Sequence, residues 1–145
     1  MAISLLDSAF EAELRALVLL FLLDEPVNAD YLGALDTLAI NQRTFRIGRD
    51  NLNGTHRLAA GELRTRADLM RRALKQLTLS HLAAFDTSTE PAGFRITNRG
   101  DCIVNQLRTD YAERFFAAAL DTIEVAGHAS TAHLEKIITS VEAAS

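Results

Sequence analysis

The 145-residue chain has one cysteine, two prolines, no tryptophan and no apolar run longer than the eight residues Ala16 to Leu23. Each scarcity excludes something. A lone cysteine, Cys102, permits no intramolecular disulfide and no cysteine-rich zinc site. Eight apolar residues fall far short of the roughly 20 that a membrane-spanning helix needs, so no membrane partner is expected. The first residues place no basic segment ahead of an apolar one, so no secretory signal is visible and the expected compartment is the cytoplasm. The phosphate loop G-x-x-x-x-G-K-[ST], the dinucleotide motif G-x-G-x-x-G and the zinc motif H-E-x-x-H are all missing. The histidines are His56, His81, His128 and His133. The last two stand five apart across an expected helix boundary, a poor spacing for a shared metal. The sequence therefore offers no catalytic residues, no metal site and no cofactor site, and it reads as a non-enzyme. Cys102, inside the run Cys102-Ile103-Val104, is expected to be a small core residue.

What is present suits a single globular domain spanning residues 1–145. Hydrophobic residues make up 48% and charged residues 23%, enough apolar material for one core. The net charge of −4 argues against a surface that clings to nucleic acid throughout. That charge is unevenly spread. Residues 1–41 sum to −6, residues 42–75 to +6 and residues 76–145 to −4. A basic middle between acidic ends gives the surface a direction, unless it is an ordinary solvated mixture.

Periodicity predicts a first helix over Ala9 to Leu23, opened by the S-x-x-E pattern of Ser8 and Glu11. Its apolar face is Phe10, Leu14, Leu17, Val18 and Phe21. Asn28 caps a second helix, Ala29 to about Ile40, with Leu32, Leu35, Leu38 and Ala39 inward. Asn41 to Ala60 has no clean period and reads as a long loop, a kind more often functional than decorative. Thr65 is a candidate cap for a third helix, Arg66 to about Ser80, with an apolar stripe of Leu69, Met70, Ala73, Leu74 and Leu77. Two strand-like runs, Leu82 to Asp86 and Phe94 to Thr97, flank a turn and predict a β-hairpin. A fourth helix covers Arg99 to about Leu107. A fifth covers Asp110 to about Ala126, with Tyr111, Phe115, Ala119, Leu120 and Ile123 inward. A sixth starts at Ser130 or Thr131 and carries the stripe Leu134, Ile137, Ile138 and Val141, which either packs on the core or is offered to a partner's groove. The expected fold is mainly α: a winged helix-turn-helix core with a small hairpin wing and a C-terminal helical extension over about 110–145.

The third helix is the sharpest feature. Arg64, Arg66, Arg71, Arg72 and Lys75 are expected to stand near one another, with His81 at the far end. Three readings stay open: Arg64, Arg71, Arg72 and Lys75 neutralise phosphates of a nucleic acid, they meet an acidic partner protein, or they form a plain solvated face. No set of residues stands out as a reader of base edges. A homodimeric winged-helix transcriptional regulator is the alternative function, and the acidic total charge counts against it.

Particular residues also resemble a known family. Leu35-Asp36-Thr37-Leu38 ends the second helix and is followed by a long polar loop. Then come His56-Arg57, Gly61-Glu62-Leu63 and Arg66, a helix ending in Leu82, the hairpin, and Tyr111 at the start of the next long helix. This order and spacing, over roughly residues 8–126, resembles the middle component of bacterial ABC-three-component systems. The chain departs from that pattern in lacking a Gly-Gly-Pro element in the loop and in having Arg64-Thr65-Arg66 where a doubled arginine is usual. The resemblance implies a small non-catalytic adaptor of an anti-phage or anti-plasmid defence complex, with Lamassu-type complexes the nearest example. Its implied partners are an ATPase of the structural-maintenance-of-chromosomes type and an effector subunit, often a nuclease, with DNA contacted within the complex. It also implies that Asp36, Arg57, Gly61, Glu62, Leu63 and Arg66 shape the loop-to-helix junction and its contact with the ATPase.

Overall fold

The computed structural model describes residues 9–48, 51–52 and 62–144, with only the backbone of Glu62 and of residues 142–144. Six helices and one hairpin occur among them. They are α1 (Ala9–Leu23), α2 (Ala29–Ile40), α3 (Glu62–Leu79), β1 (Ala83–Asp86), β2 (Gly93–Ile96), α4 (Asn98–Gln106), α5 (Asp110–Ala126) and α6 (Thr131–Ala144). The mainly helical architecture with a small antiparallel hairpin is the one the periodicity predicts, in the same order.

The caps explain most of the boundaries. Asn28 accepts a hydrogen bond from the Tyr31 amide, Thr97 from Gly100 and Thr109 from Ala112, each satisfying an orphan donor of a first turn. Helix α3 differs from expectation. It begins at Glu62, so Thr65 lies inside its first turns and is not a cap. The expected Ser8 cap of α1 lies outside the described residues. At the far end of α3, His81 takes a left-handed conformation (φ 64°) and the Leu82 amide donates to the Leu77 carbonyl at 2.9 Å. This Schellman-type stop turns the chain into the hairpin. Thr97 then ties the hairpin's end to its beginning, its hydroxyl donating to the His81 carbonyl at 2.7 Å.

Helices α1 and α2 form the centre. Every residue from Leu32 to Ile40 is buried, because α2 is covered by α1, α3, α5 and α6. Helices α2 and α3 cross closely at Gly33, where an added Cβ would stand 3.0 Å from the Ala67 Cα. Met70, Ala73, Leu74 and Leu77 bury the inner stripe of α3, while Leu69 is only partly covered. The stripe of α6 divides: Leu134 and Ile138 are buried, but Ile137 is 39% exposed. The last helix thus packs on the core by one edge and leaves the other uncovered.

The hairpin has a third element. Val27, between α1 and α2, exchanges backbone hydrogen bonds with Phe94, at 2.9 Å from its amide and 2.7 Å to its carbonyl. β2 is therefore flanked on both sides and β1 forms the outer edge.

Three sequence expectations are corrected. Phe10, in the first turn of α1, is 75% exposed. Leu120 sits on the outer face of α5. Cys102 is exposed, because α4 buries little beyond Gly100 and Val104.

Candidate functional site

The residues singled out by sequence divide into an interior group and a surface group. Inside the fold, Arg15 of α1 is fully buried, in the company of Ala12, Ala16 and Leu19. Its Nε donates to Asp36 Oδ1 at 2.7 Å, a second guanidinium nitrogen reaches Oδ2 at 3.4 Å, and the third donates to the Tyr111 hydroxyl at 3.0 Å. Burial pulls the guanidinium pKa down, but Asp36 and Tyr111 more than offset this and hold it above its ordinary value. Burial pushes the Tyr111 phenol up, with Glu11 and Asp36 adding to the rise and Arg15 opposing it. The network joins α1, α2 and α5. Asp36, 1% exposed, therefore fixes helices to each other.

Arg66 is buried too, unlike the arginines it was expected to stand with. At 4% exposure it lies inside the first turns of α3 and does not join the surface cluster. Leu63 is half-buried. Arg57 and Gly61 lie outside the described residues, and of Glu62 only the helical backbone is described.

The surface group is the outer face of α3. Arg64, Asp68, Arg71, Arg72 and Lys75 recur at spacings of three and four, so they share one side of the helix. Arg71 is engaged, with Asp30 of α2 at 2.8 Å and with Asp68 one turn back. Arg64, Arg72 and Lys75 are exposed and make no ion pair among the described residues. These three cations span 11 positions, about 16 Å of helix. The hairpin has the opposite character. Asp86 and Glu90 lie in or beside its turn, and Arg95 is turned onto Asp86 at 3.3 Å. Hydrogen bonds from Ser88, together with Arg95, hold the Asp86 carboxyl below its ordinary range. Phosphates approaching α3 would gain nothing from such a hairpin.

A site missed by sequence reasoning is the loop after α2. Asn41, Gln42 and Asn51 are all buried. The Gln42 side-chain amide donates to the Ala118 carbonyl at 2.8 Å on α5. Asn51 Oδ1 accepts from the amides of Arg43 and Thr44, and its nitrogen donates to Thr44 Oγ1. The start of the loop is thus held by side-chain amides that replace a regular ladder. The density of Asn and Gln in an aperiodic stretch was the available signal.

Among the described residues no three or more His, Cys, Asp or Glu side chains are placed to hold a metal ion. An apolar cleft of about 430 Å³ opens between α1, α4 and α5, with Phe21, Leu107 and Phe116 in its walls and Arg108 and Glu113 as its charged lining. No described helix is long and apolar enough to cross a membrane. Comparison with known proteins gives one family: the model of the ABC-three-component (ABC-3C) system middle component 2 matches residues 5–145. No curated protein and no solved structure matches the chain.

Proposed function

The chain belongs to the middle component 2 family of ABC-three-component systems, and from that premise we propose that it is a non-catalytic adaptor binding a structural-maintenance-of-chromosomes-type ATPase. In this reading it acts in the cytoplasm within a Lamassu-like defence complex. There it helps couple DNA sensing by the ATPase to an effector subunit of nuclease type. The observation that carries the choice of surface is the pairing state of α3: Arg64, Arg72 and Lys75 remain unneutralised among the described residues while Arg71 is engaged. Three cations on about 16 Å of one helix suit an acidic patch on a protein. A duplex would draw cations from the hairpin as well, and the hairpin is acidic. Asp36 and Arg66 support the junction from inside, whereas Leu63 and Arg64 border it. Arg57, Gly61 and Glu62, adjacent in sequence, belong to the same proposed contact.

The test is co-expression of the system's components with this chain tagged. The double variant Arg64→Glu/Lys75→Glu should lose the ATPase on pull-down while keeping the wild-type melting temperature, since both side chains are exposed. Undiminished recovery would overturn the α3 contact. Salt-sensitive duplex binding by the isolated chain, lost in the same variant, would favour the homodimeric regulator instead.

A further inference from the structure

The outer face of α3 is not uniform along its length. Towards its N-terminus it neutralises itself. Asp30 and Asp68 engage Arg71, and Glu135 of α6 shares with Arg64 the lining of a hollow between the two helices. The C-terminal part has no such company. Between Asp68 and Asp86 the chain carries no acid, and Asp86 itself is met by Arg95 at 3.3 Å. Arg72 and Lys75 are exposed and make no ion pair among the described residues. The surplus positive charge of the face is therefore concentrated in the last two turns of the helix.

An apolar side chain completes this segment. Leu79 is 64% exposed, although it stands two residues after the buried Leu77. Around the helix it falls between the two cations, about 20° from Arg72 and about 40° from Lys75, and nearly opposite the inward direction of Met70 and Leu77. Helical side chains lean toward the N-terminus, which carries Leu79 over the turn that holds Lys75 and Gln76. The aliphatic stems of Arg72 and Lys75 extend the apolar surface and leave their charges at its rim. The end of the helix is also fixed. The Leu82 amide returns to the Leu77 carbonyl at 2.9 Å, and the Thr97 hydroxyl holds the His81 carbonyl at 2.7 Å. Little backbone freedom is then left to lose when a partner arrives. A single exposed leucine is ordinary on a protein surface. This one is set on a rigid helix end between two unneutralised cations.

Resting on the reading of α3 as the ATPase contact, we infer that the last two turns of α3 carry it: Leu79 enters an apolar dimple on the ATPase, and carboxylates on the rim of that dimple meet Arg72 and Lys75. The apolar anchor supplies the affinity, and the charges supply selection and approach. Charge complementarity names the rim, and Leu79 names what the rim surrounds. A duplex would match the cations and leave Leu79 without a role. Arg64, beside Glu135 at the other end of the helix, contributes little.

The experiment co-expresses the tagged full chain with the ATPase component of its system and measures the ATPase recovered per tagged chain, at low and at high salt. Four single variants are compared: Leu79→Gln, Leu79→Met, Arg72→Glu and Arg64→Glu. All four positions are exposed, so each variant should keep the wild-type melting temperature. Leu79→Gln preserves helix propensity and should cut recovery about tenfold at either salt, while Leu79→Met restores it. Arg72→Glu should cut recovery about tenfold at low salt, and the remaining binding should respond less to added salt than the wild type does. Arg64→Glu should stay near wild type. Wild-type recovery with Leu79→Gln overturns the proposal, and so does a loss with Arg64→Glu as large as that with Arg72→Glu. In either case a loss in the double variant Arg64→Glu/Lys75→Glu leaves the α3 contact itself standing. Wild-type recovery in the double variant removes that contact and the proposal together. Duplex binding by the chain that Arg72→Glu abolishes and Leu79→Gln spares would give the face to nucleic acid, and this too overturns the proposal.

Discussion

Arg15 and Asp36, 21 residues apart in the chain, meet at 2.7 Å with neither side chain open to solvent. Their pairing crosses the α1–α2 contact at the centre of the fold, and Tyr111 adds α5 to it.

Breaking this pair from one side strands a buried charge, which costs about 3–5 kcal/mol. Asp36→Ala is therefore expected to lower urea stability by that order. The triple variant Arg15→Met/Asp36→Leu/Tyr111→Phe removes all three polar groups and should recover most of the loss. A single Asp36→Ala variant within about 1 kcal/mol of wild type would refute the assignment.

Alkaline titration reads the same network from another direction. The chain has two tyrosines and no tryptophan, so tyrosinate absorbance reports Tyr31 and Tyr111 alone. Burial raises both, with Glu25 contributing at Tyr31. A raised folded pKa means that the neutral phenol is preferred in the native state. The associated stability is complete below the unfolded value of about 10 and drains away as pH rises through the folded one. Native protein should thus ionise later than urea-unfolded protein, and Tyr111→Phe should leave a single late step. Coincident native and unfolded curves would contradict the burial of both phenols.

Asn51 makes a local prediction. Asn51→Ala removes the acceptor shared by the Arg43 and Thr44 amides, a cost of about 1–3 kcal/mol when such groups are left unsatisfied. Hydrogen exchange at those two amides should accelerate by more than at Leu35 or Ile40 in α2. Uniform acceleration over both segments would mean that the loop is not separately held.

Much of the fold was legible because its apolar residues keep helical period and its caps are strong. Helices α1, α2 and α5 have the bounds that their periodicity and, for α2, the Asn28 cap predict. The interior ion pair was not read from the sequence, although its trace is there. Arg15 stands three residues after Ala12 and four before Leu19, and Asp36 stands midway between Leu32 and Ile40. Each is a lone charge on an otherwise apolar face, and two of opposite sign on consecutive helices can neutralise each other. Arg66 escaped because Arg64, two positions away, gave it a surface context. Cys102 and Phe10 misled because hydrophobicity names candidates for burial, while coverage depends on which neighbouring elements reach them. The loop after α2 had no period to read, since its order comes from side-chain amides.

The bridge between Val27 and Phe94 has a mechanical consequence. The hairpin is fastened close to its turn, one pair in from the Asp86–Gly93 end, to the corner where α1 gives way to α2, through two backbone hydrogen bonds. Its turn, residues 87–92, therefore stands directly beside that corner, with Pro91 and Ala92 next to Pro26 and Val27. A force applied to the turn is delivered to Asn28 and the first turn of α2, the same helix that carries Asp36, before it reaches α3.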